Sequence, residues 1–235
     1  MTSEHGVFSR AFSLAVHELR TPITVTAGYL RMLLREQAGP LSDRQRKMLD
    51  EAERACGRVN ALIAEMSELG KLEAGELTPP AAPFDLAALV SEVASNVHEG
   101  EDRGLTLDVH TTERIHVTGD RPRLGAALQA LMRATLRERG APGVIAVHCS
   151  TTAGHGTRWA LVTIGDDTAA PALAAAARAP SPPPFDEWRG GLGLALPVGR
   201  RVIEAHGGAV WSAPDHPRAG SALRLPLRSD EGGRS

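Results

Sequence analysis

Apolar residues recur in alternating steps of four and three along the first third of the chain, and that spacing limits what the segment can fold into. The first run is Phe12, Val16, Leu19, Ile23, Leu30 and Leu33, with Thr26 in the skipped place, and the second is Met48, Ala52, Ala55, Val59, Leu62, Met66 and Leu69. Sustained heptads with charged flanks predict helices joined along a narrow seam rather than across a broad globular face. Between the runs, Ala38-Gly39-Pro40-Leu41-Ser42-Asp43 supplies a break and an N-cap, so the helices turn back as an antiparallel hairpin. One hairpin cannot bury its own seam. Two can, and packing therefore predicts a homodimeric four-helix bundle formed through residues ~8–73.

Pro79, Pro80 and Pro83 end the pattern, marking a boundary between a helical hairpin over 1–77, a Pro-rich linker over 78–83 and a second domain over 84–228, with a short tail at 229–235. Past the linker the period changes. Helices are predicted over 85–98, 120–138 and 192–206, and strands over 105–110, 115–118, 144–150, 158–165, 208–212 and 221–227. The mixture predicts an α+β sandwich, one sheet covered by one helical layer. Ala169 to Pro184 is rich in Ala and Pro and almost uncharged, which predicts a mobile or loosely structured loop rather than a core element.

Charge names no partner. Across 235 residues, 26 Lys and Arg balance 28 Asp and Glu, and the first 77 residues carry 10 and 11 of them, so neither part has a polybasic surface for nucleic acid or anionic lipid. No apolar run reaches the roughly 18–20 residues that cross a bilayer, and the N-terminus lacks the basic and apolar regions of a signal peptide. The expectation is a cytoplasmic protein with no membrane insertion. Cys56 and Cys149 form no C-x-x-C pattern and read as ordinary buried thiols. His5, His98, His110, His116, His148, His155 and His216 show no ligand-like spacing, so no metal site is expected from them.

The chemistry clusters in His17-Glu18-Leu19-Arg20-Thr21-Pro22 on the first helix. His17 follows the seam residue Val16 and so sits at the bundle margin, where an accessible neutral imidazole is a nitrogen nucleophile. Glu18 is placed to take or orient the other ring proton. Thr21, one turn on, can hold a water for attack on a phosphorylated histidine, and Pro22 removes one helix hydrogen bond beside the site. Taken alone, the same histidine also reads as a solvated side chain on a charged helix.

That six-residue motif, with Val59-Asn60-Ala61-Leu62-Ile63 and Leu69-Gly70-Lys71-Leu72-Glu73-Ala74-Gly75 closing the second helix, resembles the dimerisation and histidine-phosphotransfer domain of two-component sensor histidine kinases. The resemblance implies His17 as phospho-acceptor, Glu18 as general base, and Glu18 with Thr21 as the pair supporting dephosphorylation of a response regulator. Residues ~84–228 resemble the family's GHKL-type ATP-binding sandwich, through Phe84-Asp85-Leu86, Asp120-Arg121-Pro122-Arg123-Leu124 and the run from Arg200 to Trp211.

Several nucleotide-site residues depart from the family pattern. Ala130 and Ala134 stand where the resemblance implies two asparagines, one of them a Mg²⁺ ligand, and an aliphatic methyl offers magnesium no oxygen. Asn96 lies upstream and reads as a surface residue. The family's Asp-x-Gly-x-Gly reads Asp166-Asp167-Thr168-Ala169-Ala170, keeping the carboxylate that would accept from the adenine amino group but not the glycines. In Gly190-Gly191-Leu192-Gly193-Leu194-Ala195, Gly191 and Gly193 take the first two glycine places, and backbone amides at a helix N-terminus suit phosphate. The same cluster also reads as a flexible helix entry that binds nothing. Phe185 resembles the family's lid phenylalanine, or packs within its loop.

Three functional expectations follow. The leading one is a histidine-kinase-family protein that carries a phosphoryl group on His17 and exchanges it with a receiver-domain aspartate, needing neither ATP nor Mg²⁺, its phosphate coming from a partner such as a separate sensor kinase. The second is an ATP- and Mg²⁺-dependent autokinase with an atypical metal site. The third is an inert pseudokinase scaffold.

Overall fold

A computed structural model describes residues 2–76, 82–111, 113–154, 156–214, 216 and 218–227, with residues 2–11 described by backbone alone. Pro79 and Pro80 of the predicted linker, His155, the side chain of His5 and the 229–235 tail lie outside the described residues. The chain divides into two compact units, Met1–Leu77 and Thr78–Ser235.

The first unit is a helical hairpin, α1 (Thr2–Leu34) and α2 (Asp43–Glu73). Its turn is built from the break seen in the sequence. Gly39 takes a left-handed φ of 114°, and Ser42 caps α2 in a reciprocal box, its Oγ accepting from the Gln45 N–H and its N–H donating to Gln45 Oε1. Arg46 reaches back to the Leu34 carbonyl at 3.3 Å and pairs with Glu36, closing the end of α1.

Within one hairpin the seam closes on Val16, Ala27, Cys56 and Ile63, which are buried, and the Cys56 thiol donates to the Ile23 carbonyl at 3.6 Å. Other heptad positions stay open. Leu19 is 46% exposed and Met48 62%, and Val59 and Leu62 are exposed too. A further exposed set, Leu14, Val25, Tyr29 and Met32, follows from 100° per residue as the side of α1 turned away from Val16.

The second unit is a mixed five-stranded sheet with helices. Its elements are β1 (Ala82–Asp85), α3 (Leu86–Ser95), β2 (Leu105–Thr111), β3 (His116–Gly119), α4 (Arg121–Glu138), β4 (Gly143–Gly154), β5 (Thr157–Gly165), α5 (Ala169–Ala176), α6 (Ala195–Ala205), β6 (Ala209–Ser212) and β7 (Gly220–Pro226). The order is β2-β4-β5-β7-β6, parallel between β2 and β4 and antiparallel elsewhere, while β1 and β3 form a separate two-stranded ladder. Strand alternation places Val147, Cys149, Val162, Ile164, Leu223 and Leu225 on one buried face. There α3, α4 and α6 pack side by side. Burial drives the Cys149 thiol up to about 12, with Asp85 adding to the shift.

Two expectations need correction. β1 is a strand in the segment expected to be linker and domain entry. Ala169 to Ala176 is not a loose loop but α5, packed on the opposite sheet face against Leu161, Ala222 and Trp211, with Leu173 fully buried. Its order comes from strands far along the chain. The Trp211 indole N–H donates to the Leu173 carbonyl at 3.2 Å, and the Arg224 guanidinium donates to the Ala177 carbonyl at 2.7 Å and the Ala179 carbonyl at 3.2 Å while stacking over Trp159.

The motif residues Asp120 and His206 are joined structurally. Asp120 caps α4, accepting from the Arg123 N–H at 3.1 Å. Its own N–H donates to His206 Nε2 at 2.9 Å, and His206 Nδ1 lies 2.7 Å from the Val202 carbonyl, so the ring is the Nδ1–H tautomer. The ring fills the space at Gly119, where a Cβ would meet it at 2.4 Å.

Candidate functional site

In the hairpin, the step from buried Val16 to the next residue turns the helix by about 100° and brings His17 to the surface. Glu18, Thr21 and Pro22 are exposed on the same stretch of α1. The helix runs through Pro22 unbroken. Around it, Thr24 Oγ1 donates to the Arg20 carbonyl and Thr26 Oγ1 to the Pro22 carbonyl, each at 2.8 Å. The His17 ring, the Glu18 carboxylate and the Thr21 hydroxyl make no hydrogen bond or ion pair among the described residues. A rigid backbone thus presents a solvent-facing imidazole with a carboxylate and a hydroxyl as neighbours, an arrangement suited to nucleophilic attack on phosphorus by a ring nitrogen.

In the second unit, Ala130 and Ala134 are buried on α4. The 3-10 turn Arg189–Gly191 lies directly on Ala134. Gly190, Gly191 and Gly193 all have left-handed φ, at 69°, 59° and 64°. The Gly190 and Gly191 carbonyls accept from Arg137 Nη1 at 3.4 and 3.0 Å, and Arg137 Nε donates to Glu99 at 2.8 Å. α6 begins at Ala195, three residues later than the sequence predicts. The Arg189 side chain is fully buried, donating to Glu138 Oε2 at 3.0 Å and to Thr135 Oγ1 at 3.4 Å, with its guanidinium 5.9 Å from the Phe185 ring centre.

Asp166 is engaged on both oxygens. Oδ1 accepts from Thr168 Oγ1 at 2.6 Å, the Thr168 N–H at 3.1 Å and the Ala169 N–H at 2.9 Å, and Oδ2 pairs with Arg139. Burial raises its pKa, but these donors and the Arg139 charge outweigh it and hold the carboxyl at about 2. Asn96 caps α3, its Nδ2 donating to the Glu92 carbonyl at 2.8 Å. Among the described residues, no group of three or more His, Cys, Asp or Glu is placed to hold a metal ion.

Residues 9–75 match the His Kinase A (phospho-acceptor) domain family, a span that contains His17, Glu18 and Thr21. The sensor protein kinase PmrB of Pseudomonas aeruginosa is 26% identical over 243 residues, covering 96% of this chain and 49% of that protein. The signal transduction histidine-protein kinase BarA of Escherichia coli is 35% identical over 111 residues, covering 46% of this chain and 12% of that protein. Residues 9–75 thus carry the phospho-acceptor match, and the relatives named are histidine kinases to which this chain is similar. It spans about an eighth of BarA and about half of PmrB. Two solved structures share the fold of this chain at 19% identity: full-length ShkA in complex with AMPPNP, at a TM-score of 0.70 over 95% of this chain and 47% of that one, and the Acinetobacter baumannii histidine kinase AdeS, at 0.54 over 91% and 98%. No helix among its described residues is long and apolar enough to cross a membrane.

The charged residues around the glycine turn and Asp166 are not singled out by any motif in the sequence. Arg137, Glu138 and Arg139 are consecutive at the end of α4, and Arg189 precedes the glycines, so the signal was present as a charge run. Their pairing with Glu99, Asp166 and each other depends on contacts 27 to 51 residues apart, which no local pattern reveals.

Proposed function

We propose that this chain carries a phosphoryl group on His17 and exchanges it with an aspartate of a response-regulator receiver domain. The observation that carries this reading is His17 itself, exposed beside Glu18 on a helix within the phospho-acceptor match. In transfer from a receiver, a ring-nitrogen lone pair forms the N–P bond, the P–O bond of the aspartyl phosphate breaks, and its electron pair leaves on the aspartate carboxylate. Glu18 takes or orients the proton on the other ring nitrogen, and Thr21 positions a water when the phosphoryl group is instead hydrolysed. The exposed stripe of Leu14, Val25, Tyr29 and Met32 offers a receiver an apolar surface along the same helix. Exposed Leu19, Met48, Val59 and Leu62 support a homodimer closing the seam. Receiver partners and two free buried cysteines fit a cytoplasmic setting.

The second unit, on this reading, works without nucleotide. Its side chains do not fit a magnesium nucleotide: Ala130 and Ala134 offer no oxygen ligand, Asp166 is engaged by Arg139 and its own turn, and the buried Arg189 is committed to Glu138. Autokinase activity is the second reading. It is favoured by Gly191, where a Cβ would meet nothing within 4 Å, leaving room for a phosphate near the backbone.

Purified protein given Mg²⁺ and γ-labelled ATP, or a labelled phosphorylated receiver domain, separates these readings, with His17→Gln as control. Label is expected on wild type from the receiver alone and absent from His17→Gln. Acid-labile label from ATP alone establishes the autokinase, and no label by either route establishes a scaffold.

A further inference from the structure

Beside His17 the two helices leave a groove of about 230 Å³ that the proposed chemistry has not used. Ser13 and Arg20 reach it from α1, and Ser67 and Lys71 from α2. Ser13 is four residues before His17 and Arg20 three after, so helical geometry puts all three on one side of α1. Lys71 enters from the facing helix. Arg20 and Lys71 are both exposed, and neither side chain makes an ion pair or hydrogen bond among the described residues. Two cations from different helices, unpaired among the described residues, therefore line the groove that the imidazole also lines, with Glu76 the one carboxylate among its described lining residues.

We propose that this groove is an anion subsite in which Arg20 and Lys71 receive the phosphoryl group carried by His17, with the Ser13 and Ser67 hydroxyls as further donors. The inference rests on His17 as the phosphoryl carrier. A phosphoryl group presents several strong acceptor oxygens and nearly two negative charges, which suit a pair of cations better than a neutral groove. Charge placed in advance beside the attacked phosphorus also stabilises the transition state without reorganisation. Arg20 and Lys71 thereby act as binding and positioning groups for the phosphoryl oxygens, while the N–P bond forms at His17.

Two measurements on the full chain test the subsite. Inorganic phosphate titrated into the protein is followed at the His17 imidazole resonances by NMR, and phosphoramidate serves as a small phosphoryl donor. With that donor its P–N bond breaks as the imidazole N–P bond forms, and the electron pair leaves on ammonia. Phosphate is expected to shift the His17 resonances in wild type, and the shift should be lost in Arg20→Gln and Lys71→Gln. Each variant is expected to slow phosphorylation of His17 about tenfold, at unchanged helical circular dichroism and Tm, with Lys71→Arg restoring the rate. Equal labelling rates and equal phosphate responses in wild type and both variants overturn the subsite. A phosphate shift in wild type that the variants abolish, with no label on His17, keeps the subsite and overturns the carrier reading instead.

Discussion

Gly190 and Ala134 meet backbone against backbone: a side-chain carbon on Gly190 would lie 2.9 Å from the Ala134 Cα. Gly190 holds a φ of 69°, so this glycine is required both by conformation and by contact. The contact seals the face of α4 on which a longer polar residue at 134 would have to project. Ala134→Asn is expected to destabilise the second unit by about 1–3 kcal/mol through overpacking. Gly190→Ala should cost a similar amount. Urea denaturation measures both, and an Ala134→Asn variant as stable as wild type would show that the turn yields easily. The double variant Ala130→Asn/Ala134→Asn is expected to gain no Tm from Mg²⁺ and ATP, where a ligand at 100 times its Kd would add ~2.7 kcal/mol.

Asp166 sets an acid limit on the same unit. Its carboxyl is held at about 2 against an ordinary 3.8, so the folded state favours the ionised form. The resulting stabilisation is fully present above about pH 4 and is lost as pH falls through the folded value near 2. With Arg139 partly solvated, it amounts to about 1–2 kcal/mol. Asp166→Asn should lower stability by that amount at neutral pH and flatten its fall between about pH 4 and pH 2. A variant whose stability tracks wild type across that window would mean the Arg139 and Thr168 contacts carry no net energy.

The hairpin was legible because its information is local. Heptads, the Gly39-Pro40 break and the Ser42 cap each act within a few residues, and the six-residue motif at His17 lies within about two helical turns. The heptads did not say which positions close within one hairpin: Val16 and Ile63 are buried while Leu19, Val59 and Leu62 are open, because two helices alone cover only the side of each that faces the other. In the second unit the helix over Arg121–Glu138 was legible from its cap and spacing. α5 was not, since an alanine-rich, uncharged segment has no strong apolar face of its own and is ordered by Trp211 and Arg224, from strands far along the chain. The sequence also showed that Ala130 and Ala134 break the family pattern, but not that Arg137, Arg139 and Arg189 are committed internally.

Leu173 tests the reassignment of that segment. It is fully buried in the cluster with Leu161, Trp211 and Ala222. Leu173→Ala is expected to cost about 2–4 kcal/mol, in the range of a buried leucine truncation. Protease cleavage between 169 and 177 should accelerate in the variant and be slow in wild type. Rapid cleavage of wild type in that interval would return the segment to a loop.

The last relationship is the buried pair of Arg189 and Glu138. Burial raises the Glu138 carboxyl and lowers the Arg189 guanidinium, so each ion is disfavoured alone and is kept by the other, with Arg218 a more distant second cation for Glu138 at 3.9 Å. Removing one partner leaves a charge in a site built for two. Arg189→Met is therefore expected to destabilise by about 3–5 kcal/mol, whereas Arg189→Met/Glu138→Leu should recover much of that loss, since apolar replacements of a whole buried pair are often neutral. A double-mutant cycle by urea denaturation reads the coupling directly. If the double variant is as unstable as the sum of its singles, the pair is not what holds the Arg189–Gly191 turn on α4, and the turn's position must rest on the Gly190–Ala134 contact and Arg137 alone.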